Sequence, residues 1–307
     1  MNFTKTVILK IILAILIFNY ILHRYYVNKF KKEHFPPGII FPLKEDIELP
    51  QVETGKNIPK NIYRCYKDKE SAKKFQSVFD QTQHYMKGYE QIIYGDEEID
   101  EFIKSNFSHR IYSAYKNINP QYGAARADFF RYLIIYLYGG VYLDIKSGPN
   151  KDITKIIEQN KGKLITSYGN GGLPKGIFPL QHLYEWRGGG YYDWSPFTNN
   201  SYMEYQQYYI ISPKGHPVIK KVIQQVVTNI EEGMKNKNYY SSGHISVVAM
   251  TGPITYTMII DKYKDKYKDV KIFRFPLNGR MNHRLIDYKS IMKNNHYSKI
   301  NNKNILL

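Results

Sequence analysis

Residues 124–149 constrain this chain more than any other stretch. Residues 125–138 place Phe129, Leu133, Tyr136 and Leu137 at helical spacing, with no Gly or Pro inside. That spacing predicts a helix. Gly139-Gly140 then ends it, because glycine takes the positive φ that a helix C-cap requires. Val141-Tyr142-Leu143 is a short run of strand formers, and Asp144 follows where the chain leaves the strand. Ligands of open α/β sheets bind outside the carboxyl ends of the strands. Asp144 is therefore the first candidate site residue.

The surrounding chain repeats this alternation. Residues 58–66 read as a first strand and 71–84 as a helix. Residues 88–94 read as a second strand, and Asp96 caps a helix running to Lys104, with Asp96, Glu97 and Glu98 in its first turn as the helix dipole favours. Strand and helix in turn predict an α/β fold with a mostly parallel sheet. Residues 152–159 and 218–230 read as further helices, 164–168 and 273–276 as strands. Residues 169–190 are rich in glycine and carry Trp186 and Arg187; so long an irregular stretch is either a binding loop or a plain insertion.

Asp128-x-x-Arg131, Gly139-Gly140, Tyr142 and Asp144 together resemble the sugar-nucleotide-binding region of the DXD-type glycosyltransferases. That pattern runs roughly S/A-D-x-x-R-x-x-x-L-x-x-x-G-G-x-Y-x-D-x-D. The most similar group is glycosyltransferase family 32, with its fungal initiating mannosyltransferases; the clostridial glucosylating toxins are more distant. Leu137 or a neighbour fills the leucine place, and Lys146 stands at the final acid. Residues 88–104 are similar to the family as well, as are 207–217, with Gln207 in an Asn-like place and the turn Lys214-Gly215-His216-Pro217, and Thr251-Gly252-Pro253.

The resemblance implies a GT-A type, Rossmann-like single catalytic domain over residues 58–307. It implies transfer of a hexose from a UDP- or GDP-sugar to a glycan, lipid or protein hydroxyl, with retention of configuration. Carried over residue by residue, Asp144 and Lys146 are the candidate catalytic groups. Asp128, Arg131, Tyr142, Gln207 and His296 would line the donor, the last from a tail folded over the diphosphate. Asp144 would be a ligand of Mn or Mg.

Lys146 puts that metal in question, because an ammonium cannot coordinate a cation. Three readings stay open: the ammonium replaces the metal's charge, a tail residue helps Asp144 hold the metal, or the chain is an inactive relative that binds a sugar or an anion without turnover. Asp128 and Arg131 alone could be a local i,i+3 ion pair worth about 0.2–0.5 kcal/mol; the surrounding match favours the site. No facing pair of acids can be found by spacing, so nothing points to a glycosidase.

Composition bounds the rest. The chain has 307 residues, 43% hydrophobic and 23% charged, which suits a globular body. Its net charge is +17 and it has 30 tyrosines. Lysine-rich codon bias explains that charge, and without a zinc-finger, RNP or helix-turn-helix signature no nucleic-acid partner is expected. A single cysteine, Cys65, excludes an intramolecular disulfide.

Residues 7–22 are almost wholly apolar, slightly shorter than the roughly 20 residues of a spanning helix. Bulky Arg24-Tyr25-Tyr26 follows where a signal peptide would be cleaved. Residues 1–24 are thus expected to be a single-pass membrane anchor, in a Golgi- or ER-type membrane or a viral or host one. The prolines of 25–57 suggest a stem. The positive charge after the anchor places the domain in the cytosol, and the resemblance places it in a lumen.

Overall fold

The computed structural model describes residues 41–168, 205–236, 239, 240, 242–273, 275–286 and 303–307, with helical positions between 7 and 22. In chain order these residues form β1 (Asn61–Cys65), α1 (Lys69–Ala72), α2 (Gln76–Tyr85), β2 (Glu90–Tyr94), α3 (Asp96–Asn106), α4 (His109–Asn117), α5 (Gly123–Tyr138), β3 (Gly140–Leu143) and β4 (Gly148–Pro149). They continue with α6 (Thr154–Gln159), β5 (Leu164–Ser167), β6 (Tyr209–Ser212), α7 (Pro217–Lys235), α8 (Gly243–Met250), α9 (Pro253–Tyr267), β7 (Val270–Phe273) and β8 (Met281–Asn282).

The main sheet has the order β2-β1-β3-β6-β5-β7. β1 runs parallel to β2 and β3, β5 runs parallel to β7, and β6 is antiparallel to both of its neighbours. Only β6 is reversed, so the expected α/β fold with a mostly parallel sheet is what forms. β4 and β8 make a separate two-stranded ribbon.

α5 is the axis of the domain. Phe129, Phe130, Tyr132, Leu133, Ile134 and Ile135 have no exposed surface, so this helix is apolar on nearly every side, as a helix at the centre of a core must be. It lies against the sheet and against α3, α7 and α8. Its C-terminal turn explains the glycine pair. Gly139 has φ +69°, and a Cβ there would stand 2.5 Å from the Lys214 nitrogen. Gly140 has φ +99°, with its Cβ position 2.7 Å from the Asn61 carbonyl. Only glycine lets α5 reverse into β3 this close to β1.

Several local expectations shift. The helix expected over 71–84 is broken by a tight turn at Lys73–Phe75 into α1 and α2. Gly95, not Asp96, is the cap of α3, and Glu98 Oε2 accepts the Gly95 N–H at 2.8 Å. The strand expected at 273–276 is β7 three residues earlier, and Pro276, which has no N–H for a ladder, opens a short turn of helix. The expected loop 169–190 lies outside the described residues.

The expected membrane anchor is not seen as such. Described positions between 7 and 22 are helical, but among the described residues no helix is long and apolar enough to cross a membrane. Residues 41–55, within the stretch read as a stem, lie against the domain. Gln224 Nε2 donates to the Glu45 and Ile47 carbonyls at 3.0 and 3.1 Å, and Gln225 Nε2 donates to the Phe41 carbonyl at 3.1 Å. Lys44 bridges Glu231 and Glu232, and Arg110 bridges Glu231 and Asp46.

Candidate active site

β3 delivers Asp144 to the edge of the sheet, where its N–H donates to the Tyr208 carbonyl at 2.8 Å. One turn of α5 carries Asp128 and Arg131 beneath it. Arg131 Nη2 stands 2.8 Å from Asp128 Oδ1 and 3.1 Å from Asp144 Oδ1, so one guanidinium joins both carboxylates. Its Nη1 donates to the Gln207 carbonyl at 2.6 Å, and its guanidinium lies 4.8 Å over the Tyr142 ring. A planar fork can make these contacts at once; an ammonium cannot.

Burial sorts the expected site residues. Asp128 is 6% exposed, Arg131 4%, Gln207 7% and Tyr142 1%. The Asp144 side chain is 23% exposed, the one acid of the set that reaches the surface. Tyr142 meets the site through Arg131, and its hydroxyl lies 3.2 Å from Cys65 Sγ. Gln207 Nε2 donates to the Tyr132 hydroxyl and to the Thr251 carbonyl. These residues hold Asp144 from below. His296 lies outside the described residues.

Three residues join the site without having been assigned to it. Thr251 Oγ1 donates to Asp128 Oδ2 at 3.1 Å, which gives the Thr-Gly-Pro turn a task. Arg64, wholly buried at the end of β1, donates from Nη1 to the Asp144 and Ser147 carbonyls, both at 2.8 Å, and from Nη2 to Thr82 Oγ1 at 2.8 Å. It fixes the turn that carries Asp144 and Lys146. His283 stacks on Tyr208 with ring centroids 4.9 Å apart, its Nε2 3.9 Å from Asp144 Oδ2. Residues 281–286 return to this edge of the sheet. Ser147 Oγ donates to the His283 carbonyl at 2.7 Å, and the Leu285 N–H to the Lys146 carbonyl at 3.0 Å.

The electrostatics follow from this packing. Burial pushes the Asp128 carboxyl up, Arg131 opposes that and Asp144 adds to it. Burial works against the Arg131 charge, but Asp144 and then Asp128 more than offset it, so Arg131 stays cationic. Burial lowers Lys146, with Asp144 opposing and Arg284 and Arg131 adding to the fall. His283 keeps 45% of its side chain exposed; the burial it has lowers its pKa, which Asp144 partly resists, so its ring is neutral at pH 7. Burial raises Cys65 to about 12; no thiolate nucleophile exists there. His216 is a turn residue: its Nδ1 accepts the Val218 N–H at 3.2 Å at the start of α7.

A divalent ion does not fit this donor set. Mn and Mg take several oxygen ligands. Among the described residues of the site Asp144 is the one accessible carboxylate, and Arg131 already engages its Oδ1. Asp128 is sealed between Arg131 and Thr251, and Lys146 fills the second acid position. Among the described residues no three His, Cys, Asp or Glu side chains cluster as a metal site would require.

The site thus belongs to an α/β domain with its acid at a strand edge, held by a helix arginine. Residues 57–163 match the family model described as "Glycosyltransferase sugar-binding region containing DXD motif". The chain is 26% identical over 247 residues to "Initiation-specific alpha-1,6-mannosyltransferase" of Candida albicans, covering 75% of this chain and 61% of that protein. It is 26% identical over 204 residues to "Inositol phosphoceramide mannosyltransferase 3" of Schizosaccharomyces pombe, covering 66% of this chain and 44% of that protein. The chain thus spans about three fifths or less of these curated relatives. Among solved structures, "PaToxG Glycosyltransferase" aligns with 81% of this chain and 80% of its own at 16% identity, with a TM-score of 0.42.

Proposed function

We propose that this protein is a glycosyltransferase that moves a hexose from a UDP- or GDP-sugar to a hydroxyl of a glycan, lipid or protein, with retention of configuration. The observation that carries this is Asp144, the single accessible acid among the described residues of the site, locked at the β3 edge by Arg131 and Arg64. A carboxylate so placed accepts hydrogen bonds from ribose or sugar hydroxyls, and its rigidity holds the donor for attack. Lys146, two residues on, supplies positive charge where the diphosphate departs. Asp128, Arg131, Gln207 and Thr251 position these two. We assign no covalent nucleophile.

The names of the curated relatives make mannose the first sugar to test, and a glycan or inositol phosphoceramide the first acceptors. In this reading residues 58–307 are the catalytic domain, and the apolar 1–24 segment anchors the protein to a membrane.

The test is a panel of UDP- and GDP-sugars offered to the full chain, beside Asp144→Asn. Turnover of one donor, lost in that variant with the melting temperature kept, supports the reading. Binding of a donor without hydrolysis or transfer to any acceptor would favour a noncatalytic sugar-binding relative instead.

A further inference from the structure

We propose that the departing diphosphate is neutralised by this chain's own cations, Lys146 and Arg284, in place of a divalent metal ion. The inference rests on the nucleotide-sugar reading above and deepens it. Three observations carry it. First, the donor set lacks the oxygens a divalent ion needs, for the reasons given above. Second, the place of the missing acid is taken by a cation, and the turn bearing it is rigid, because Arg64 grips the carbonyls on either side of Ile145 and Lys146. Third, the returning tail is clamped to that same turn. The β4–β8 ribbon pairs Gly148 with Asn282, and the Leu285 N–H donates to the Lys146 carbonyl. That clamp fixes the backbone of Arg284, whose N–H donates to Asn282 Oδ1 at 3.0 Å, one residue from the Leu285–Lys146 hydrogen bond.

The site then leans positive without a metal. Arg131, Lys146 and Arg284 stand against Asp128 and Asp144, an excess of positive charge even with both acids ionised. His283, neutral, adds none. A doubly charged diphosphate completes the site, whereas a divalent ion would face Lys146 at close range. In the transfer, the anomeric C–O bond breaks with its electron pair on the diphosphate oxygen. The acceptor oxygen forms the new C–O bond, and its proton goes to the departing phosphate. The two cations stabilise the charge that appears on that oxygen.

The experiment is calorimetric titration of the full chain with UDP and with GDP, in EDTA and then in Mn. One nucleotide should bind in EDTA within about threefold of its affinity in Mn, and Lys146→Ala should weaken it about tenfold, or 1.4 kcal/mol. Arg284→Ala should weaken it by about fivefold, and Lys146→Arg should retain most of it. Lys146→Asp should bind poorly in EDTA and recover with Mn, which restores the second acid and guards against reading a folding failure as a lost contact. Binding by the wild type in Mn alone, or indifference to Lys146→Ala, would overturn the proposal and leave the nucleotide-sugar reading standing. Failure of both nucleotides in both buffers would remove that reading and this inference with it.

Discussion

Arg64 offers the sharpest test of how the site is held, and Arg64→Met removes it at similar length. The guanidinium is wholly buried and makes three hydrogen bonds of 2.8 Å, two of them to the carbonyls of Asp144 and Ser147. Methionine leaves those two carbonyls buried without a donor, at about 1–3 kcal/mol each. Thr82 suffers less, because its hydroxyl still donates to the Val78 carbonyl at 2.7 Å. Against this stands the cost of burying the arginine. No carboxylate pairs with it, its Nε has no partner, and burial lowers its pKa to about 9. Recovering part of that desolvation offsets about half of the loss, leaving a net of about 1–3 kcal/mol. For a domain of this size that is a fall in melting temperature of about 2–12 °C. Arg64→Lys, with one ammonium for three acceptors, should fall between the two. Calorimetric melting gives the stability, and donor KM gives the positioning, which should weaken in both variants as the Asp144 turn loosens. A methionine variant that melts within about 2 °C of wild type with unchanged KM would refute the argument that Arg64 fixes the turn.

Other expectations follow from the same geometry. Arg131→Lys should reduce donor kcat/KM by about a hundredfold, near 2.7 kcal/mol, with little change in overall helix content by circular dichroism, because a lysine cannot join two carboxylates. Gly140→Ala should cost about 2–4 kcal/mol by urea melting, since its Cβ would press on the Asn61 carbonyl at a φ that only glycine favours. His283, lowered from 6.5 to about 4, binds fewer protons in the folded chain than in the unfolded one across that window. Stability should therefore rise with pH from about 4 to 6.5, and His283→Gln should flatten that part of the melting-temperature profile.

What could be read in the residues beforehand was local. The run from α5 through Gly139-Gly140 to Asp144 combines helical periodicity, a positive-φ turn and a strand within about two dozen residues, and each signal acts over a few positions. Lys146 was visible as a departure because the motif around it is dense. The supports of the site were not visible, because they depend on packing across long separations. Thr251 meets Asp128 across 123 positions, and His283 returns to Tyr208 and Asp144 only through the β4–β8 ribbon. Nothing in the strand pattern of 58–66 singles out Arg64; only three-dimensional closure shows it buried with backbone partners. The break at Lys73–Phe75 lies in a lysine-rich segment whose periodicity continues smoothly, so the pattern there carries no stop signal.

The packing of residues 41–55 decides how this protein can be cut. Reading the prolines alone, a catalytic fragment would begin near Lys56. Such a cut would strip Gln224 and Gln225 of their carbonyl acceptors, remove the buried Ile47, and leave Glu231 and Glu232 without Lys44. It would also release Thr54 from the Gly215 carbonyl and Gly55 from that of Lys214, at the turn that meets Gly139. The segment behaves as a seat belt across α7, fastened beside the glycine pair. A fragment starting ahead of Phe41 should remain soluble and monodisperse on gel filtration, and one starting at Lys56 should aggregate.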